Sequence, residues 1–159
     1  MALKHVTFYG CSPTLSLGLG ITQDVWAFAS MMQEKALGQA IAVELFTLDG
    51  APVESFSGMQ MPADGDIDAL PETDLVILHA LWGDPEVIVA QQIRLFPQLR
   101  RWHEMGVPIL ALTTASFLLA EAGLLDGRIC TTHWHQHDAF AKRYPNVDFR
   151  KERFITATG

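Results

Sequence analysis

The stretch Asp74-Leu-Val-Ile-Leu-His79 decides the fold. Four consecutive apolar residues, with β-branched Val76 and Ile77 at the centre, lie between polar ends. A strand with one face in water alternates apolar and polar residues, whereas an unbroken run is buried on both faces, as in a parallel sheet. Working outward, Asp84-Pro85-Glu86 starts a helix, with Asp as the cap and Pro at the first helical position. Pro97 predicts a break, giving two helices or one kinked helix that ends at Gly106. A second apolar strand, Val107 to Leu112, leads into a short helix over Thr114 to Ala122 that Gly123 stops. Toward the N-terminus, His5 to Tyr9 and Ile41 to Leu48 are strands, the latter ending in the turn pair Asp49-Gly50. Between them the pattern predicts a loop from Gly10 to Gly20 and a helix capped by Thr22. Val25, Phe28, Ala29, Met32, Ala36 and Leu37 follow helical spacing up to a stop at Gly38. Val53 to Met61 has weaker strand character and predicts a hairpin with what precedes it. Arg128 to Thr131 is a short strand and His137 to Tyr144 a last helix, while Val147 to Phe149 and Arg153 to Thr156 predict paired edge strands. Strands alternating with helical segments imply an α/β three-layer sandwich with a mainly parallel central sheet.

At 159 residues the chain is about one domain, and a 49% hydrophobic, 18% charged composition is that of a globular protein. The most apolar stretch, Val107 to Leu125, is interrupted by Pro108, Thr113, Thr114, Ser116 and Glu121, so no membrane span is expected. The segment after Lys4 and His5 is too short for a secretory signal, and a cytoplasmic location is expected. Eighteen acidic residues against eleven basic ones give a net charge of −7. Phosphate-gripping domains carry a basic face, so the chain is not expected to bind DNA itself. Cys11 and Cys130 have no metal-type or redox-type spacing and read as reduced, buried thiols.

In sheets of this kind a ligand sits beyond the carboxyl ends of the strands. Four segments are therefore candidates for a site: the loop after Tyr9, the turn from His79 to Gly83, the turn from Leu112 to Thr114, and the stretch around His133.

The run from Leu112 to Arg128, containing Ala120-Glu-Ala-Gly-Leu-Leu-Asp-Gly-Arg128, is followed by Thr131-Thr-His-Trp134. It resembles the nucleophile-elbow region of the PfpI-like branch of the class I glutamine amidotransferase-like superfamily, and most closely the sensor domain of AraC-type transcription regulators. Thr47-Leu-Asp-Gly-Ala-Pro-Val53, Ser57-Gly-Met-Gln-Met-Pro62 and Lys142-Arg-Tyr-Pro-Asn-Val147 extend the likeness over nearly the whole chain. The resemblance implies a flavodoxin-like sandwich. It also implies that residues 1–159 are one sensor domain, truncated at its C-terminus, with the DNA-binding helix-turn-helix domain absent from this chain.

Departures from the family pattern bear on activity. Its enzymes place a Cys at the strand-to-helix elbow, where a helix N-terminus lowers the thiol pKa. The matching residue here is Thr113, an alcohol of much higher pKa. The acidic partner position falls on Gly18, and the usual Gly-Gly oxyanion turn falls on Ala80-Leu81; His133 matches the family histidine. The resemblance therefore implies a catalytically inactive relative that binds a small-molecule effector, with no catalytic residue, cofactor or metal. Its ligand-binding residues would be Thr113, Thr114, His79, Trp82 and His133. Simpler roles stand beside these: Thr113 as a helix cap, and Trp82 as a core or interface residue. The rival reading is a stand-alone hydrolase, hydratase or amidase using Thr113 or Cys11. His133, His135 and His137 would lie about 6–7 Å apart on one face of an extended segment, a possible divalent-ion site, unless the segment turns helical and separates them. The helix bearing Val25, Trp26, Phe28, Met31 and Met32 is apolar around much of its circumference, which fits either a homodimer interface or cover by a loop of the same chain.

Overall fold

A five-stranded, all-parallel sheet organises the molecule. The computed structural model describes residues 2–157. In chain order the elements are β1 (His5–Tyr9), α1 (Ser16–Leu37), β2 (Ala42–Thr47), β3 (Val53–Glu54), β4 (Gln60–Met61), β5 (Gly65–Asp66) and β6 (Leu75–Leu78). They continue with α2 (Pro85–Gln91), α3 (Phe96–Glu104), β7 (Ile109–Ala111), α4 (Ser116–Glu121), β8 (Ile129–Cys130), α5 (His137–Arg143) and β9 (Asp148–Phe149). The sheet order is β5-β2-β1-β6-β7, so the strand order reverses between β1 and β6. That crevice is where such sheets bind ligands.

Period-two alternation divides the core between the two faces. Val6, Phe8, Leu45 and Ile77 pack beneath α1 with Leu19, Trp26 and Ala29. Tyr9, Val76 and Leu78 face Ile88, Val89, Leu99, Trp102, Phe117 and Leu118 of α2, α3 and α4, with Leu95 of the turn between α2 and α3. Asp74 fastens the amino end of the sheet, its carboxylate accepting the backbone N–H of Lys4 at 2.6 Å and of His5 at 3.0 Å. These two bonds hold its carboxyl below the usual range. The α5 segment docks by its own contacts. Phe140 meets the Phe117 ring edge-on at 5.0 Å, and Arg143 reaches Glu121 at 3.0 Å and Glu86 at 3.4 Å.

Several expectations need correction. The helix begins at Ser16, so Gly18 and Gly20 lie inside α1, and the Thr22 hydroxyl donates back to the Gly18 carbonyl rather than capping. Leu15 is the cap residue and offers no side-chain acceptor, which hid the start. The interruption before α3 falls at a tight turn, Ile93–Leu95, with Pro97 seated in the first turn of α3. Val53 to Met61 folds on itself as an antiparallel β3–β4 hairpin and does not pair with the preceding strand. β9 pairs in parallel with β8, while residues 153–156 form no strand. β5, two residues long, was not anticipated; it adds an edge where Gly65 lies against the Phe46 ring.

Phe117 is fully buried and meets both Phe140 and Tyr144 edge-on. Phe117→Ala is expected to cost about 3–5 kcal/mol in urea denaturation. A loss under 1 kcal/mol would mean that α4 and α5 do not share this core.

Candidate functional site

The strand-to-helix elbow after β7 carries the main feature of the site. Among the described residues, Thr113 is the one non-glycine with positive φ, at +50°. For a β-branched residue this is a strained conformation, of order 1–3 kcal/mol, and it persists only where the surroundings over-determine it. Two bracing networks do so. The Thr113 carbonyl accepts the hydroxyls of Ser116 at 3.0 Å and Thr132 at 3.3 Å, and those two hydroxyls are 2.8 Å apart. Thr114 turns inward. Its hydroxyl accepts the Leu81 N–H at 2.8 Å and donates to the Leu81 carbonyl at 2.9 Å.

These bonds join the predicted segments. Trp82 follows the residue that Thr114 grips, and His133 follows the residue that braces Thr113. The loop after β1 is tied in as well: the Thr14 hydroxyl donates to the Ala80 carbonyl at 2.9 Å, and the Trp82 N–H to the Pro13 carbonyl at 3.0 Å. The β3–β4 hairpin leans on the same loop and stacks Phe56 on Trp82, with centroids 4.5 Å apart. Phe56 was not anticipated, because only the fold brings the hairpin there.

The five predicted ligand residues divide into two groups. Thr113 and Trp82 are exposed and His133 is half-buried, so these three present a surface. Thr113's side chain makes no cap bond; the turn it opens is capped by Leu112 without a side-chain bond. Thr114 and His79 are buried, at 8% and 2% exposure. His79 lies against Phe8 at 5.3 Å with Nε2 unpartnered, and burial pushes its pKa down to about 4. The turn matching the oxyanion position is Ala80-Leu81, and its Leu81 N–H is already taken by Thr114. Gly18 occupies the first turn of α1 with open space where a side chain would project. Cys11 is buried, and desolvation pushes its thiol up to about 12. The three histidines separate. His133 Nδ1 accepts the His135 N–H at 3.3 Å, the Trp134 ring lies beside both of those imidazoles, and His137 packs on Phe149.

A parallel sandwich with a strained strand-turn-helix elbow at its carboxyl edge is the architecture of the amidotransferase-like class. The chain belongs to the DJ-1/PfpI family, whose model matches residues 24–159. It is 33% identical over 135 residues to the HTH-type transcriptional regulator CdhR of Pseudomonas aeruginosa, covering 82% of this chain and 39% of that protein. It is 29% identical over 98 residues to an isonitrile hydratase of Pseudomonas putida, covering 62% of this chain and 42% of the hydratase. The solved structure of a putative transcriptional regulator from Vibrio parahaemolyticus superposes with a TM-score of 0.85 at 19% identity, covering 99% of this chain and 81% of that one. The chain thus spans about two fifths of the length of the regulator it matches. Among the described residues no helix is long and apolar enough to cross a membrane.

His79 sets a pH dependence. Its folded pKa lies below the ordinary 6.5, so as pH falls through 6.5 the unfolded chain takes a proton that the folded one refuses. Stability is expected to drop by about 2 kcal/mol between pH 7 and pH 5 and to level off below pH 4. The drop is absent in His79→Leu; an unchanged slope in that variant would assign it to other groups.

Proposed function

We propose that this chain is the effector-sensing, dimer-forming domain of a transcriptional regulator and that it is catalytically inactive. The observation that carries the reading is the elbow, kept in its strained form but holding Thr113. Thr113 is exposed and its side chain makes no capping hydrogen bond, and an alcohol without a base to take its proton is a poor nucleophile. The Leu81 N–H, spent on Thr114, is a donor withdrawn from any oxyanion. Similarity to CdhR supports the regulatory role, with DNA bound through a separate helix-turn-helix domain outside these residues. The effector would rest on Thr113, Trp82 and His133, with Thr114 and His79 bracing the floor from within. Its binding would act by favouring one arrangement of two protomers over another.

The second reading, a hydratase, is favoured by the 29% identity to the isonitrile hydratase. The two diverge in one experiment: incubation with an alkyl isonitrile, and with iodoacetamide near neutral pH. The sensor reading expects no formamide product and no alkylation of Cys11 until the protein unfolds. Turnover, or rapid alkylation of folded Cys11, would replace it with the enzyme reading.

The dimer rests on α1. Leu17, Ile21, Val25, Phe28 and Met31 remain more than half exposed in an apolar strip, and no loop among the described residues covers them, while Trp26 packs inward. A strip of this kind marks an interaction surface. Light scattering is expected to give a dimer for the chain and a folded monomer for Phe28→Glu. A monomer for the unaltered chain would remove α1 as the interface.

A further inference from the structure

We propose that a second, separate cleft, over the carboxyl ends of β1 and β2, is a binding site for a small organic cation, a primary ammonium on a short apolar body. The cleft is open to solvent on the side of exposed Asp49 and measures about 340 Å³, toward the low end of the range of small-molecule sites. It lies between the residues after β1, those after β2, and the end of α2, with Gly10, Cys11, Asp49, Pro52 and Gln92 among its walls. None of the elbow residues lines it.

Three features make it a prepared site. Its base is rigid: Cys11, Thr47 and Gln92 are all under 8% exposed, and the Tyr9 hydroxyl donates to Gln92 Oε1 at 2.6 Å. The flanking loop is held from both sides, the Thr47 hydroxyl donating to the Ala51 carbonyl at 2.9 Å and the Ala51 N–H to Asp49 Oδ1 at 3.1 Å. Gly10 packs directly on the core behind the cleft, since a Cβ there would fall 2.7 Å from Cγ2 of the fully buried Val53.

Charge then selects the occupant. Asp49 supplies the one formal charge among the lining residues, and no Lys or Arg lines the cleft. The Asp49 carboxylate pairs with no cation among the described residues, and its Oδ2 accepts no hydrogen bond there. Arg94, whose charge is felt at Tyr9, is engaged by Asp68 at 2.6 Å. A carboxylate beside Leu48, Ala51, Pro52 and a neutral thiol suits an ammonium group whose alkyl portion lies on those apolar atoms. The chain's net charge of −7 further favours cations over anions in its vicinity. A divalent metal would need more ligands than one carboxylate, and no cluster of three metal-ligating side chains occurs among the described residues.

The test is an amide NMR titration with n-butylammonium chloride and, at matched ionic strength, sodium butyrate. The ammonium is expected to move the Cys11, Ser12, Asp49 and Ala51 signals in a saturable manner, and butyrate to leave them in place. Asp49→Asn keeps an oxygen for the Ala51 N–H, so the turn survives, and it is expected to weaken binding about three- to ten-fold. Gln91→Glu places a second carboxylate on an exposed wall residue and is expected to tighten it about two-fold. Equal response to butyrate, indifference to both substitutions, or shifts centred on Thr113 and Trp82 would overturn the proposal. Because the elbow takes no part, each of these outcomes leaves the sensor reading standing.

Discussion

The Thr114 hydroxyl, held between the N–H and the carbonyl of Leu81, ties together the two loops that close the carboxyl edge of the sheet. Both bonds are buried, where an unpaired amide would cost about 1–3 kcal/mol, so the hydroxyl cannot leave one partner without exposing another. With Leu81 fixed, Trp82 has one position beside the hairpin that carries Phe56. With Thr114 fixed, the preceding residue must take up the chain as it leaves β7, and it does so at a φ that Thr ordinarily avoids. Ser116 and Thr132 complete the bracing from the other side.

The same arrangement explains how an enzyme-like scaffold can serve binding. A strained elbow presents its side chain at the mouth of the sheet whatever that side chain is. A thiol placed there gains reactivity from its surroundings, whereas a hydroxyl without a base gains only position. The elbow strain is present here with a threonine at its apex. A residue presented outward on a rigid base is as useful for recognising a ligand as for attacking one. In the proposed reading exposed Thr113 and Trp82 would take that role, and the apolar strip of α1 would give bound-state differences a surface through which to act.

Much of the fold was legible in the residues. The runs at Val6 to Tyr9 and Leu75 to Leu78 are strands because only a doubly covered sheet can accept them, while Ile109 to Ala111, with Leu110 exposed, is the edge strand that pairs with the second. Gly38 ends α1 in the left-handed conformation its position implied, and Asp84 caps α2. What escaped was set by tertiary contact. The first turns of α1 contain two glycines and no capping side chain, so burial of Leu19, not local preference, makes them helical. The β5 edge is two residues long and exists by pairing with β2. For the proposed site, sequence placed Thr113, Thr114, His79, Trp82 and His133 beyond the carboxyl ends of the strands without distinguishing inward from outward. His79 follows β6 on the Phe8 side and is buried there, and the hydroxyl of Thr114 was drawn in by an amide 33 residues away. Asp49 was legible as a turn residue but not as a cleft wall, since Gln92 and Cys11 reach it only in the fold.

Whether this domain senses on behalf of a DNA-binding partner domain is read most directly from the intact mass of the protein expressed from its unmodified native gene. A sensor domain is expected to give a subunit well above 17.6 kDa, with a basic helix-turn-helix region joined to these residues. A native subunit of 17.6 kDa would contradict it and leave a domain that acts alone.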